Sequence, residues 1–369
     1  MSISLYIHIP FCKRKCPYCD FYSIEYNKDL VDSYIDVLSY QLKKLKQKFY
    51  TIYIGGGTPT VLDIKALEKL LKSLYRFSKE AIEFTVEANP ESVSIDKLKL
   101  FLKSNVNRIS IGVQSFDDRK LKFLERLHTA KDAINSVSLA KDAGFKNINI
   151  DLIFGLPYED LHIWENDLKK ALHLPIKHIS TYILTCEKNT KFYKYKDLLD
   201  DETITKLYIY TVDTLKRHNF FQYEISNFSK KNFECKHNLM YWENNSYLGL
   251  GCGSFSYIDG IRQKNITNIK EYIDRVLKNK DIVIFREKLS KIKSARETIA
   301  LKIRTISGID FDWFYKKTNI NFLELEKNSL VQLKKANFIK YKIKNNKKIG
   351  IQLTKKGLLF ADTVSSSFL

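Results

Sequence analysis

Between residues 3 and 183, six short β-rich runs alternate with segments of helical pattern, and this rhythm limits the fold more than any other feature. The runs are ISLYIHI (3–9), TIYI (51–54), IEFTVE (82–87), RISI (108–111), NINIDLI (147–153) and HISTYI (178–183). The helical segments are 28–48, 63–78, 94–104, 130–143 and 160–173. Units of about 30 residues are βα repeats, which build parallel sheets with helical crossovers. Six units are too few for a closed eight-unit barrel and enough for an open, partial one. The expected class is α/β, a partial (β/α)6 barrel. Its strand ends carry the unusual residues: HIPFC, GGGTP, EANP, GVQSF and DLIFGLP. In parallel α/β architectures the site gathers at those carboxyl ends.

After residue 185 the rhythm breaks. Residues 201–218 read as helix, and 220–257 are rich in aromatics, Asn and Gly without a clear period. A Lys-rich stretch, 264–295, leads to further helical segments and a tail that reads as strand, turn, strand, helix. This predicts three parts: a barrel over 1–185, a flanking segment over 186–265, and a small winged-helix-like C-terminal domain over 266–369. Winged helices serve DNA binding and purely structural roles alike, so the shape alone assigns no function.

A chain of 369 residues that is 44% hydrophobic can bury sizeable cores, which excludes wholesale disorder. No run approaches the roughly 18 apolar residues of a membrane span. The N-terminus has no basic region ahead of an apolar one, so a cytoplasmic protein is expected. The net charge of +20 invites a nucleic-acid reading. Only 11 of the 62 basic residues are Arg, however, and the lysines run along the whole chain. With Asn, Ile and Tyr also abundant, a general coding bias accounts for the charge, and no nucleic-acid partner is expected.

Three of the six cysteines fall within eight positions, as Cys12-x3-Cys16-x2-Cys19. Thiolates are the soft ligands that iron–sulfur clusters prefer. A Cys3His zinc site with His8 is the competing metal reading, and three inert buried cysteines the plainest one. Three thiolates leave one iron of a [4Fe–4S] cluster open to an outside ligand. Lys13, Arg14 and Lys15 would offset the negative charge of thiolates and cluster.

C-x3-C-x2-C with Tyr18 before its last cysteine, on a partial barrel, resembles the radical S-adenosylmethionine (SAM) superfamily. The resemblance implies a [4Fe–4S] cluster on Cys12, Cys16 and Cys19 whose open iron is chelated by SAM. The run Gly55–Pro59 lies where that superfamily has its glycine-rich SAM contact. Further runs resemble the coproporphyrinogen III oxidase-like branch: Tyr6–Cys12, Glu87–Pro90, Gly112–Phe116, Leu124–His128 and Asp151–Pro157. From that branch come expected SAM contacts at Tyr6, Gly56, Gly57, Thr58, Glu87, Gln114, Arg126 and Asp151. Glu87, Gln114 and Asp151 can bond ribose hydroxyls or the ammonium, and Arg126 can pair with the carboxylate. Each acid or Arg could instead form an ion pair closing the barrel rim.

Within the branch, the oxidases carry a fourth cysteine two residues after the third and an N-terminal extension. Here Asp20-Phe21 follows Cys19 and the first strand begins at residue 3, which favours the heme-chaperone family. So does His237-Asn-Leu-Met-Tyr241-Trp242, similar to that family's HNxxYW signature. The resemblance makes His237 a candidate heme ligand, with Cys235 and Met240 as alternatives; the plain reading is a packed, hydrogen-bonded histidine. One departure stands out: the Gly249–Phe255 run has Phe255 where the family usually has His. The expected function is a heme chaperone that passes heme to an unidentified acceptor protein and does not decarboxylate coproporphyrinogen III. It has no transmembrane segment, which is compatible with transient membrane association. The alternatives are the oxygen-independent oxidase itself and a nucleic-acid-associated radical SAM protein.

Overall fold

The computed structural model describes residues 3–198 and 200–369. All six β-rich runs are strands: β1 (Ser4–Ile9), β2 (Thr51–Gly56), β3 (Glu83–Ala88), β4 (Arg108–Gln114), β5 (Asn147–Phe154) and β6 (His178–Ile183). The helices between them are α1 (Lys28–Lys44), α2 (Ile64–Ser78), α3 (Ile95–Lys103), α4 (Ala130–Ala143) and α5 (Leu161–Leu172). Each begins where the sequence supplies an N-cap. Asn27, Asp63, Ser94, Thr129 and Asp160 each accept a hydrogen bond from the amide three residues on.

β1 to β6 lie in chain order and run parallel. Their alternation is what builds the site. Ile7, Ile52, Phe84, Ile109, Ile150 and Ile179 are apolar, fully buried and part of the core shared with the helices. The intervening residues are polar: Ser4, Thr51, Glu83, Arg108, Asn149 and His178 are equally buried. In a strand successive side chains face opposite ways, so one face of this sheet packs on helices and the other encloses polar groups. Buried polar groups must be paired. Asn149 Nδ2 donates to Ser110 Oγ at 2.6 Å, and Thr51 Oγ1 donates to Ser4 Oγ at 2.7 Å.

A seventh parallel strand, β7 (Tyr247–Leu250), lies against the free edge of β1. The sequence pattern does not reveal it: YLGL sits among aromatics and glycines with no alternation. The sheet then turns antiparallel through β8 (Phe255–Ile258), β9 (Ile261–Asn265) and β10 (Val283–Lys288). It therefore does not stop at residue 265, where the sequence suggests a boundary. Helix α6 (Asp201–Arg217) and helix α7 (Lys236–Trp242) precede β7. A second hydrophobic cluster begins with α8 (Lys291–Lys302), around Ile299, Phe314, Leu330 and Ile351. The tail follows the expected order: α9 (Lys327–Lys335), β11 (Ile339–Lys344), β12 (Lys347–Leu353) and α10 (Lys355–Leu359). Among the described residues no helix is long and apolar enough to cross a membrane.

Candidate functional site

At the carboxyl ends of β1 to β6 lies a cavity of about 490 Å³. It is reached by Cys12, Cys16, Cys19, Gly56, Gly57, Thr58, Glu87, Gln114, Arg126 and Asp151. Residues separated by up to 139 positions thus meet at one place. Arg14 and Lys15 stand at its edge. Tyr6 and His237 are among the singled-out residues that do not line it. Tyr6 lies behind, its hydroxyl 2.9 Å from His8 Nδ1, and His237 lies below.

The cysteine loop is held by a short pairing of Phe11–Cys12 with Ile24–Glu25 and by a turn in which Cys19 N donates to Cys16 O at 3.1 Å. All three thiols are free and half-buried. Burial pushes the Cys12 and Cys19 thiols up. Thr58 Oγ1 donates to Cys12 Sγ at 3.6 Å, which favours its thiolate, and Arg126 Nη1 donates to Cys16 Sγ at 3.4 Å. Among the described residues no three His, Cys, Asp or Glu side chains converge on a single ion. Three thiols on one loop suit a multi-iron cluster, which gives each thiolate its own iron. The zinc alternative would need His8 as its fourth ligand. His8 Nε2 donates to Tyr22 O at 2.9 Å, leaving Nδ1 to accept from Tyr6, so neither nitrogen is free for a metal.

Glycine is required beside the cysteines. A Cβ on Gly57 would lie 2.7 Å from Phe11 O and 3.0 Å from Cys12 Sγ, and Gly56 has φ +112°. Opposite, Glu87 takes hydrogen bonds from Tyr53 Oη at 2.6 Å and Gly56 N at 3.1 Å. Burial, with Asp151 nearby, still pushes its carboxyl up to about 7. Asp151 is raised too, by burial. Gln114 has φ +65° at a break in the β4–β5 register, a strained backbone of the kind found at ligand sites. Arg126 is anchored by Asn89 Oδ1 at 2.6 Å and Gly112 O at 3.1 Å. Its Nε is buried without a partner among the described residues.

The raised Glu87 carboxyl has a measurable consequence. The folded chain holds that proton to about pH 7, whereas the unfolded chain releases it near 4.5, so stability falls as pH rises across this window. At about 1.4 kcal/mol per unit the loss is on the order of 3 kcal/mol. Glu87→Gln should flatten this part of the pH–stability curve, measured by urea denaturation between pH 5 and 8. An unchanged slope would contradict the assignment.

Sequence reasoning missed several lining residues: Tyr53, Asn89, Arg108, Ser110, Asn149, Ser180 and Tyr182. Each apart from Asn89 occupies an inward position of its strand, which the alternation alone does not distinguish from a solvent-facing one.

His237 sits at the other end of the strands. Glu83, the first residue of β3, caps α7 by accepting from Lys236 N at 2.8 Å and His237 N at 2.9 Å. Thr51 Oγ1, already donating to Ser4, accepts from His237 Nδ1 at 2.8 Å. Nε2 then accepts from Tyr241 Oη at 2.8 Å. Burial lowers the His237 pKa to about 3, so the ring is neutral. Its neighbour Asn238 reaches the cavity. Cys235 is buried, its thiol pushed up to about 12, and Met240 Sδ accepts from Asn245 Nδ2. Phe255 is partly exposed, with Lys264 Nζ 5.1 Å from its ring centre.

Residues 6–171 match the family model of the Radical SAM superfamily. A protein of Lactococcus lactis named heme chaperone HemW is 37% identical over 99% of this chain and 97% of its own length. Its namesake in Bacillus subtilis is 35% identical over 99% of both. Among solved structures, the coproporphyrinogen III oxidase HemN of Escherichia coli, a radical SAM enzyme, superposes with a TM-score of 0.84. The superposition covers 100% of this chain and 90% of that one, at 21% identity, and so speaks to the fold alone. The expected partial barrel of the coproporphyrinogen III oxidase-like branch is borne out, and the superfamily implies a [4Fe–4S] cluster and SAM. The chain belongs to the HemW family of the radical SAM superfamily.

Proposed function

We propose that this chain is a heme chaperone: it binds heme and passes it to an acceptor protein, with a [4Fe–4S] cluster and SAM held in the cavity. The observation that carries this reading is full-length likeness to two proteins named heme chaperone HemW. Asp20-Phe21, in place of a further cysteine, supports it against the oxidase.

Cys12, Cys16 and Cys19 would hold the cluster, with Arg14, Lys15 and Arg126 offsetting its charge. When bound, cluster and SAM together supply one-electron cleavage of a sulfonium. The chain's own part is orientation. Gly56 and Gly57 let a ligand approach the backbone, Glu87 and Asp151 attract an ammonium or accept from hydroxyls, and Arg126 meets a carboxylate. Gln114 is aimed by its strained backbone, and Tyr6 supports this wall through His8. SAM affinity should rise with pH up to about 7 as Glu87 ionises, because a carboxylate draws a cation more strongly than the neutral acid.

For heme, His237 Nε2 becomes available only when Tyr241 Oη gives way. Titrating heme into the reconstituted protein tests this. His237→Ala should weaken binding or shift the Soret band with the cluster spectrum unchanged. Tyr241→Phe should tighten binding roughly fivefold, since one hydrogen bond of about 1 kcal/mol no longer competes. A Soret band indifferent to both changes would leave His237 a packing residue and place the ligand elsewhere.

A further inference from the structure

Arg108, the first residue of β4, is 2% exposed, and a guanidinium stays charged at any ordinary pH. Among the described residues its side chain makes no hydrogen bond and no ion pair, and its Nε is buried without a partner. A buried charge left in this state is among the costliest groups a fold can carry.

The surrounding groups do not answer it. Glu83 attracts it at longer range but spends its oxygens on Cys235 Sγ, Lys236 N and His237 N. Tyr53 and Cys235 are neutral, because burial drives both pKa values up. Thr85 and Asn147 pair with Arg108 in the strand register, yet Thr85 Oγ1 and Asn147 Oδ1 are themselves buried without partners among the described residues.

The guanidinium faces the cavity, which it lines. It does so from the floor: Gly112, whose carbonyl anchors Arg126, lies four residues on, roughly 13 Å further along the strand. Asn238 of α7 reaches the same cavity, half-buried, and its carboxamide makes no hydrogen bond among the described residues. Two side chains with unused N–H groups therefore meet one cavity, and one of them is a cation.

We propose that Arg108 and Asn238 form a carboxylate site on the cavity floor, separate from the SAM contacts at the rim. The planar fork of a guanidinium matches a carboxylate bidentately, and a carboxamide N–H adds a third donor. A single negative charge suits the place better than the double charge of a phosphate, since Glu87 and Asp151 line the wall above. A cavity of about 490 Å³ holds one drug-sized molecule, so with SAM at the rim the floor takes a short acid or the carboxylate arm of a larger ligand. Two sources share this chemistry. One is a heme propionate: His237 adjoins Asn238, and its ring lies 5.0 Å from that of Tyr53, which lines the cavity. The other is a free short-chain carboxylic acid. The heme source rests on the chaperone reading; the free acid does not.

The test titrates the full-length reconstituted protein with heme and with heme dimethyl ester, and follows saturation transfer to free propionate by NMR. Arg108→Gln should weaken heme binding about ten- to a hundredfold, the loss of a charge-assisted hydrogen bond. Asn238→Ala should weaken it about fivefold. The ester carries no carboxylate, so its affinity should be the same in all three proteins. Asn238→Ala removes a half-buried group without bonds and keeps the fold, so it decides the matter if Arg108→Gln does not fold. Saturation transfer to propionate in the wild type, lost in the variants, would also support the site and identify the free acid as its ligand. If the wild type binds no heme, the chaperone reading fails and the propionate experiment alone decides. Equal effects on heme and its ester, with no variant-sensitive transfer to propionate, would overturn the proposal and leave Arg108 a structural cation.

Discussion

Cys16→Ala is expected to abolish the broad visible absorption of the anaerobically reconstituted protein, leaving no residual cluster. The three thiols reach one cavity from a single loop, and under the proposed reading each would serve a separate iron of the cluster. Cys16 is the most exacting of the three, because Arg126 donates to its sulfur and to Asn89 and so joins the loop to the opposite wall. Loss of that thiolate also leaves a buried guanidinium facing a methyl group. SAM affinity should fall with the absorption, since its amine and carboxylate would have no open iron to meet. Tightly bound zinc without iron in anaerobically purified wild type would contradict this account.

The second large effect lies outside the cavity. Lys120, on the short helix Asp118–Phe123, is buried with Glu159 and Asp167, which are 1% and 2% exposed. Its Nζ is 2.8 Å from Asp167 Oδ2 and donates to Ile153 O at 3.3 Å. Asp167 in turn accepts from Ser115 Oγ at 2.7 Å and Phe116 N at 2.6 Å, the two residues after Gln114. Glu159 accepts from Leu156 N at 3.0 Å. One ammonium therefore ties together the ends of β4 and β5. Lys120→Met keeps the length of the side chain but leaves two buried carboxylates facing each other. Removing one partner of a buried ion pair costs roughly 3–5 kcal/mol. Calorimetry should show a fall in Tm on the order of 5 °C. A change below about 1 kcal/mol would mean that water reaches the acids and that the cluster does not hold Gln114 in place.

The barrel was legible because its strands and helices differ in local pattern. Each helix carries its own cap, and each strand end its own unusual residue. The seventh strand was hidden because Tyr247–Leu250 draws its stability from pairing with β1, a contact 243 positions away in which Ser4 faces Tyr247. The cysteines could be singled out from their spacing; Gly57, Glu87 and Arg126 were named from the resemblance to the coproporphyrinogen III oxidase-like branch, and the fold brings them to the same cavity as the cysteines. Asn149, Ser110 and Ser180 could not be singled out so easily: a polar residue in a strand points to solvent as often as to a lumen until the sheet's curvature is known. His237 shows the opposite difficulty. The resemblance makes it a candidate ligand, yet Thr51, Tyr241 and Glu83 bind it and its helix into the base of the sheet, which no local pattern discloses.

One measurement bears most directly on the chaperone reading. Anaerobically reconstituted wild-type protein, given SAM and a reductant, is divided between a heme titration and an incubation with coproporphyrinogen III. The account predicts saturable heme binding with a Soret shift and no protoporphyrinogen IX. Formation of protoporphyrinogen IX with consumption of SAM, and no saturable heme binding, would contradict it and make this chain an oxidase.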